Sequence, residues 1–194
     1  MLEFNSEKIC LFERGVDMAY WKSRGLRGSA LEEVINITND KYLSQNLALI
    51  QKIPTPIKPI EIDKESRHIT LAYFEKKSTV DYIGAVQGIP VCFDAKECAK
   101  DTFSLQNVHE HQLEFMNNFE KQGGIAFILV YFSRRDEYYY LRLSVLNEYF
   151  NNIKKGQVQN IKYEDLDKEY FIPKKNGLYV HYLELLQKDM CSRE

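Results

Sequence analysis

The sequence predicts an α/β fold, with a mixed central β-sheet flanked by helices and a proline-rich segment that protrudes from the sheet. Runs of strand-forming residues alternate along the chain with segments in which apolar residues recur at helical spacing. The 194 residues are 44% apolar and 13% aromatic, which is enough to bury one core. We therefore expect a single domain over residues 1–194.

The charge balance excludes a strongly basic nucleic-acid-binding protein. The chain has 26 Lys and Arg against 28 Asp and Glu, a formal net charge of −2, so a DNA-binding surface must be local. No stretch approaches the roughly 20 apolar residues of a membrane span. The first residues include three glutamates and lack the basic and apolar regions of a signal peptide. We expect a cytoplasmic protein with no membrane partner.

The cysteines give no sign of a zinc site. None are spaced as C-x-x-C, and no histidine cluster accompanies them. The four are Cys10, Cys92, Cys98 and Cys191. We interpret them as free thiols in a reducing cytosol.

The N-terminal part contains an extension and then a basic loop. Residues 1–24 form an extension of uncertain order. Lys22, Arg24 and Arg27 lie among glycines, a pattern typical of a basic loop that contacts DNA and equally of an ordinary solvated connection. We keep these three residues as DNA-binding candidates.

A helix is predicted next, opened by a capping box and ending near Ser44. Ser29 and Glu32 have the spacing of that box, which leaves Glu33 as the freer acid for chemistry. The apolar stripe of the helix consists of Leu31, Ile35, Thr38 and Tyr42.

Residues 54–77 are predicted to leave the sheet after a first strand at Ala48–Ile53. Three of the five prolines of the chain fall in this stretch, and proline cannot donate to a strand ladder. Over residues 52–77 there are six Lys or Arg against four acids, so the projection is mildly basic. Its DNA-binding candidates are Lys58, Arg67, Lys76 and Lys77.

The next two segments predict a β-hairpin. Strand formers fill Thr79–Val86 and Ile89–Phe93, and Gln87-Gly88 fits a two-residue turn between them. Centring the turn there pairs residues whose numbers sum to 175. Asp81 then lies opposite Asp94 and Thr79 opposite Lys96, while alternation sends their neighbours to the other face. Those neighbours are Val80, Tyr82, Phe93 and Ala95.

This polar face of the hairpin suits metal-assisted hydrolysis. Opposed carboxylates about 5 Å apart repel each other, and a divalent cation would remove the repulsion. Mg²⁺ or Mn²⁺ prefers such oxygen ligands, and a lysine beside the metal can stabilise developing negative charge. These are the groups required for phosphodiester hydrolysis. The same pattern is also typical of a solvated strand face whose charges keep the sheet soluble.

A second helix is predicted over residues 107–122, ended by Gly123-Gly124. Its spacing places Gln112 on a stripe with Val108, Phe115 and Phe119, and a buried amide must find partners. Gln112 either makes a core hydrogen bond to the backbone or presents its amide oxygen to the metal or its water. We interpret His109 and His111 as surface or phosphate-contacting residues.

The rest of the chain predicts strands at Ile125–Phe132 and Glu137–Leu143 and helices at Ser144–Phe150 and Leu178–Lys188. The run Tyr138-Tyr139-Tyr140 could stack on bases. Aromatic residues in a strand more often serve packing, and we favour that interpretation.

Several of these motifs together resemble one family. The strings are Leu31–Asn39, Pro54-Thr55-Pro56, Ser78–Tyr82, Phe93–Glu97, Asn107–Gln112 and Gln122–Gly124. In this order they are similar to the RecU family of Holliday junction resolvases, within the PD-(D/E)xK or restriction-endonuclease-like superfamily. The likeness covers about residues 25 to 150.

The resemblance implies a homodimer that resolves four-way DNA junctions by paired, Mg²⁺-dependent nicks in recombination and repair. It places metal ligands at Thr79, Asp81, Asp94 and Gln112, and a transition-state stabiliser at Lys96. Residues 54–77 would form the stalk that enters the junction. A four-way junction has two-fold symmetry and needs two cuts, which a C2 dimer matches. Such a protein would work at the nucleoid, with recombination proteins as candidate partners.

The chain also departs from the family pattern. Asp94 stands where Glu is common, Val80 replaces a frequent Thr, Ile83 replaces a frequent Asn, and the chain is acidic where the family is basic. Two alternatives stay open: a related nuclease with another DNA substrate, and a non-catalytic DNA-binding recombination factor. The set of Asp81, Asp94, Lys96 and Gln112 argues against the second.

Overall fold

The structure is a computed structural model, which describes residues 27–74, 79–154, 160–173 and 180–193. Its strands are β1 (Leu49–Lys52), β2 (Ile57–Ile62), β3 (Ile69–Phe74), β4 (Tyr82–Val86), β5 (Ile89–Cys98), β6 (Thr102–Ser104), β7 (Ile125–Phe132), β8 (Glu137–Arg142), β9 (Asn160–Lys162) and β10 (Phe171–Ile172). Its α-helices are α1 (Arg27–Ser44), α2 (Glu110–Lys121), α3 (Leu143–Lys154) and α4 (Tyr182–Cys191). Short 3₁₀ turns lie at Leu105–Asn107, Tyr163–Asp165 and Lys168–Tyr170.

Six of the strands form a mixed sheet in the order β1-β4-β5-β7-β8-β10. Strands β5 and β7 are parallel and the other neighbours are antiparallel. The predicted mixed sheet flanked by helices is therefore confirmed. Among the described helices, none is long and apolar enough to cross a membrane.

Helix α1 confirms its predicted buried stripe and corrects its predicted start. All four stripe residues are buried. The helix begins at Arg27, so Ser29 lies inside it, and the predicted capping box is wrong. The Glu32 carboxylate instead pairs with Lys52 Nζ on β1 at 2.6 Å. The Glu32 carboxylate therefore pairs with a lysine on β1, whereas the predicted capping box would have paired it with a backbone N–H at the helix N-terminus.

Other boundaries also differ from the predictions. Helix α2 begins at Glu110 because a 3₁₀ turn occupies residues 105–107. Helix α3 is longer than predicted, and α4 begins at Tyr182. The short strands β6, β9 and β10 were not predicted, since two or three residues carry too little periodicity. Three of the cysteines are free and lie in the described part, whereas Cys10 lies outside it.

The β4–β5 hairpin confirms the predicted register over five pairs. Residues pair from Tyr82 with Phe93 to Val86 with Ile89, and each pair sums to 175. Both turn residues have positive φ, 48° at Gln87 and 92° at Gly88, as a type I′ turn requires. Because β4 begins at Tyr82, the predicted ladder does not extend to the pairs that involve residues 79 and 81.

The two faces of the six-stranded sheet carry different side chains: stacked aromatic rings on one and the Asp94 carboxylate on the other. On one face, rings stack in a row from Tyr82 to Phe93, Phe127 and Tyr140, with centroids 4.7, 4.8 and 4.2 Å apart. We call this row the aromatic ladder, and its side of the sheet the aromatic face. The other side, which carries Asp94, is the Asp94 face.

Each face is covered by two helices. The Tyr82 hydroxyl bonds to the Asn36 side chain at 3.1 Å, which places α1 on the aromatic face. Tyr182 of α4 contacts Phe93 on the same face, with centroids 5.1 Å apart. Helix α2 lies on the Asp94 face, and two hydrogen bonds between Asn117 and Asn147 join α3 to it.

Strands β2 and β3 form a separate two-stranded antiparallel sheet. Nearly every side chain of this hairpin is exposed, including the large apolar residues at positions 57, 60, 62, 69, 71, 73 and 74. The hairpin follows β1 along the chain, and the backbones of β1 and its neighbour β4 lie unusually close together at Gly84. A Cβ at Gly84 would lie 2.0 Å from the carbonyl oxygen of Leu49. Only glycine permits that approach.

Candidate active site

Asp94 is the centre of the candidate site and has no exposed surface (0%). Its Oδ2 lies 2.6 Å from Lys96 Nζ, and Gln112 Nε2 lies 3.2 Å from each of its carboxylate oxygens. A solvated strand face, which the sequence left open, is excluded by this burial. Carboxylates almost never occur fully buried unless they are paired.

Asp81 lies one residue before β4 and is half-buried. Its Oδ2 accepts the backbone N–H of Ala95 at 2.9 Å, and its carbonyl oxygen accepts the N–H of Ile53 at 2.7 Å. The backbone N–H of Ala95 on β5 is thus bonded to the Asp81 side chain and not to the backbone of a neighbouring strand. Because a side chain takes this place, the β4–β5 ladder ends at Tyr82 although Asp81 still contacts β5.

The electrostatics of the pair follow from this arrangement. Burial raises the pKa of Asp94 to about 7 from its ordinary value near 3.8, and the charge of Asp81 together with a hydrogen bond to it adds to the rise. Lys96 opposes the rise by charge and by hydrogen bonding. A carboxyl group perturbed by desolvation and a specific charged partner is a frequent mark of a functional site.

Gln112 is buried on the first turn of α2, as its helical spacing predicted, with 6% exposure. Its Oε1 accepts the backbone N–H of His109 at 3.1 Å. Its Nε2 faces Asp94. The structure therefore unites Asp81, Asp94, Lys96 and Gln112 in one hydrogen-bonded cluster. The main-chain groups of Ala95 and His109, which take part in it, carry no signal in the sequence.

The remaining predicted residues lie outside this cluster. Thr79 is half-buried near the start of β4, and Glu33 is exposed on α1, which packs on the aromatic face. Their roles as metal ligand and catalytic acid stay predictions. Lys58, Arg67 and His109 are exposed. Arg27 is the first residue of α1, and the candidates Lys22, Arg24, Lys76 and Lys77 lie outside the described residues.

The donor set fits a hard divalent cation. Two carboxylates with mutual repulsion offer oxygen ligands, which Mg²⁺ and Mn²⁺ prefer. In the described ranges, no group of three or more His, Cys, Asp or Glu side chains converges on a metal position. A cation held here would therefore depend on this pair together with other oxygen atoms, from a hydroxyl, water or substrate.

Comparison with known proteins places the chain in a family. The sequence model for the family described as Recombination protein U matches residues 26–188. The chain belongs to this RecU family. Proteins named Holliday junction resolvase RecU are similar to it over 84% of its length: 41% identical in Lactococcus lactis subsp. lactis (78% of that relative covered), 40% in Streptococcus gordonii (84%) and 38% in Leuconostoc mesenteroides subsp. mesenteroides (82%).

One solved structure is also similar, that of Hjc from Archaeoglobus fulgidus, described as a Holliday junction resolvase from an archaeal hyperthermophile. It is 10% identical and overlaps 61% of the chain and 75% of Hjc, with a TM-score of 0.37. Agreement at this level is too low to assign a fold or a function to this RecU family member.

Proposed function

We propose that this RecU family member is a divalent-metal-dependent endonuclease that resolves four-way Holliday junctions by paired nicks. The observation that carries the proposal is the buried Asp94 carboxylate, which lies against Asp81 and 2.6 Å from Lys96 Nζ. An arrangement that buries like charges costs stability and is expected where chemistry requires it. The three relatives named above as Holliday junction resolvases supply the substrate class.

Asp81 and Asp94 would hold the cation, with Mg²⁺ as the first choice and Mn²⁺ as the alternative. The Thr79 hydroxyl is a further candidate ligand. When bound, a divalent cation polarises a phosphoryl oxygen and lowers the pKa of water toward neutrality. Asp94 binds it best when ionised, and the Lys96 ammonium favours that form.

Lys96 supplies positive charge where negative charge develops on the phosphate. Its side chain is 21% exposed and its Nζ is already fixed against Asp94 Oδ2. A pre-positioned cation in a site from which water is largely excluded stabilises a charged transition state without reorganisation. Asp81 keeps its orientation through the N–H of Ala95.

The cell-level proposal is a homodimer that acts in recombination and DNA repair in the cytoplasm, at the nucleoid. One chain supplies one pair of carboxylates, and a junction with two-fold symmetry needs two cuts, so two copies match the substrate. Other recombination proteins are candidate partners.

DNA contacts are proposed at basic side chains, of which Lys58, Arg67 and His109 are exposed in the described part of the chain. Lys58 and Arg67 lie on the β2–β3 hairpin and His109 immediately precedes α2. Lys22, Arg24, Arg27, Lys76 and Lys77 complete the proposed set. Phosphate contacts of this kind position the nucleic acid and weaken as the salt concentration rises.

The test is cleavage of synthetic four-way junction, fork, flap and linear duplex DNA with Mg²⁺. We expect paired nicks in the junction and none after the double substitution Asp81→Ala with Asp94→Ala. Glu97→Gln is the matched control, because Glu97 lies on the same strand, is exposed and should leave cleavage unchanged.

Each other outcome contradicts a stated part of the proposal. Preferential cleavage of another substrate indicates a related nuclease. Junction binding without cleavage by the unmodified protein, with unchanged cellular repair in the double variant, indicates a DNA-binding factor.

A further inference from the structure

The two ends of the Gln112 carboxamide face partners of opposite kind. One end lies 3.1 Å from the backbone nitrogen of His109, which can only donate a hydrogen bond. The atom facing that N–H must therefore be Oε1, the acceptor. The other end lies 3.2 Å from both carboxylate oxygens of Asp94, which accept, and so it must be the donor Nε2.

This orientation cannot reverse at low cost. Turning the amide by 180° would set its NH₂ group against the N–H of His109 and its oxygen against the Asp94 carboxylate. Both contacts would then be repulsive. Asp94 is 0% and Gln112 only 6% exposed, so water has little room to compensate. A buried polar group that loses its partner bears the full cost of desolvation.

We infer that Gln112 is a positioning residue that orients the Asp94 carboxylate in the metal-free protein. The family resemblance implies a ligand role for Gln112, and the positioning role is separate from it. The inference rests on the proposed function only in assuming that Asp94 takes part in catalysis. The hydrogen bonds themselves exist before metal or DNA binds.

The same contacts link Asp94 to the start of α2. His109 immediately precedes the helix and Gln112 is its third residue, so the bond from the His109 N–H to Oε1 stabilises the first turn. Backbone bonds from Gln112 and Leu113 to the His109 carbonyl, at 3.0 and 3.1 Å, fix the same turn. Nε2 is thereby held at one place over β5, and the short arm of Asp94 reaches it.

The test is a double-mutant cycle that measures unfolding in urea, in EDTA at pH 8.5. Its variants are Gln112→Leu, Asp94→Ala and the two combined. Gln112→Leu loses the His109 bond in both backgrounds, so that loss cancels and the cycle reports only the pair. We expect coupling of about tenfold or more in the unfolding equilibrium constant, as for a hydrogen bond to a charged group. Coupling within about twofold would overturn the inference, because a residue that acts only as a metal ligand has no role in EDTA.

A matched control uses Asp101 in place of Asp94. Asp101 is an exposed acid paired with Arg135, and its Oδ1 lies 2.8 Å from Arg135 Nε. The cycle of Gln112→Leu with Asp101→Ala should show no coupling. Coupling equal to that of Asp94 would mean that Gln112→Leu perturbs the whole fold, and the inference would fail.

Exchanging donor and acceptor gives a second test, which serves if Gln112→Leu does not fold. Gln112→Glu alone keeps the acceptor for the His109 N–H but sets an acid against Asp94. We expect the folded fraction to drop, with the unfolding equilibrium constant raised about tenfold in EDTA. Adding Asp94→Asn should stabilise the Gln112→Glu variant about tenfold more, in the unfolding equilibrium constant, than it stabilises the unmodified protein, because the introduced amide can donate to the introduced carboxylate. Equal stabilisation in the two backgrounds would contradict the inference.

Neither experiment contains metal or DNA, so both are independent of the cleavage assay. The hydrogen-bond coupling can fail while junction cleavage persists, and the reverse can also occur. The two proposals are therefore refuted by different measurements.

Discussion

The two faces of the β4–β5 strand pair carry side chains of opposite character. On the aromatic face, Tyr82 and Phe93 are fully buried and stacked 4.7 Å apart. On the other face, their immediate neighbours Asp81 and Asp94 place two acids together, one of them without solvent. Apolar stacking stabilises the fold, whereas burying like charges destabilises it. The aromatic ladder thus fixes the backbone on which an unfavourable polar pair can be maintained.

The largest expected effect separates activity from stability at Asp94. Asp94→Asn should lower the rate of junction cleavage on the order of 10³-fold, because several kcal/mol of metal-dependent stabilisation would be lost. The same change should raise the free energy of unfolding by about 1 kcal/mol or more, because it removes a buried charge beside Asp81. Single-turnover cleavage and urea unfolding measure the two. A variant that is both inactive and less stable would contradict the comparison.

On the aromatic face the effect on stability should have the opposite sign. Phe93→Ala removes a fully buried ring that stacks on two others, with centroids 4.7 and 4.8 Å away. The free energy of unfolding should fall by about 3–5 kcal/mol, from lost transfer energy and the cavity left behind. Urea unfolding measures it, with Phe93→Leu as the milder control. A loss below about 1 kcal/mol would show that the aromatic ladder does not hold the strands.

The pH dependence of stability should reveal the cost of the polar pair directly. Burial raises the pKa of Asp94 to about 7 in the folded protein, above its ordinary value near 3.8, so the folded state binds this proton more tightly. Stability contributed by the protonated form is then lost as the pH rises from about 4 to about 7. The loss is at most about 1.4 kcal/mol per pH unit.

Asp94→Asn lacks this titration and gives the measurement. In EDTA, the excess unfolding free energy of the variant over the unmodified protein should grow through that window and level off above pH 7. A constant difference across the window would mean that the pKa of Asp94 is not raised.

A smaller effect is expected at the far end of the aromatic ladder. The Tyr140 hydroxyl donates to Asp189 Oδ2 at 3.1 Å, and Asp189 is buried with Arg193 as its ion-pair partner at 2.9 Å. Tyr140→Phe keeps the stacked ring and removes only this bond. The free energy of unfolding should fall by about 1.5 kcal/mol, as for a hydrogen bond to a charged group. Thermal unfolding checks it, and a loss as large as that of Phe93→Ala would assign the ladder's contribution to the hydroxyl.

The smallest effect is expected on the β2–β3 hairpin. Phe74 is 75% exposed, so Phe74→Ala removes little buried surface. The free energy of unfolding should change by no more than about 0.5 kcal/mol. Phe93→Ala is the natural comparison, since the same chemical change is made at a buried position. A loss of several kcal/mol at Phe74 would show that this face of the hairpin is covered in solution.

The sequence predicted the polar cluster because its geometry is local. A two-residue turn fixes the register of a hairpin, and the register decides which side chains share a face. Counting outward from the turn at Gln87 and Gly88 predicted that Asp81, Asp94 and Lys96 share a face. Helical periodicity alone predicted that Gln112 faces the interior.

What the sequence could not supply depends on contacts between distant elements. Full burial of Asp94 requires α2 to dock over β5, and no pattern in β5 encodes that. The end of β4 at Tyr82 is set by the Asp81 side chain, which takes the place of a strand backbone. The orientation of the Gln112 amide depends on the His109 N–H. Residue periodicity predicts which face a side chain occupies, but it does not predict which main-chain group that side chain contacts.

Gly84 also determines how closely β1, the strand that leads into the β2–β3 hairpin, approaches β4. The β2–β3 hairpin begins five residues after β1 ends, and β1 lies against β4 through main-chain contact at Gly84. An alanine there would place Cβ 2.0 Å from the Leu49 oxygen and would force the two strands apart. Under the proposed function, the distance between the hairpin and the phosphate that is cut would then change. The absence of one methyl group on β4 sets how closely β1 can pack against it.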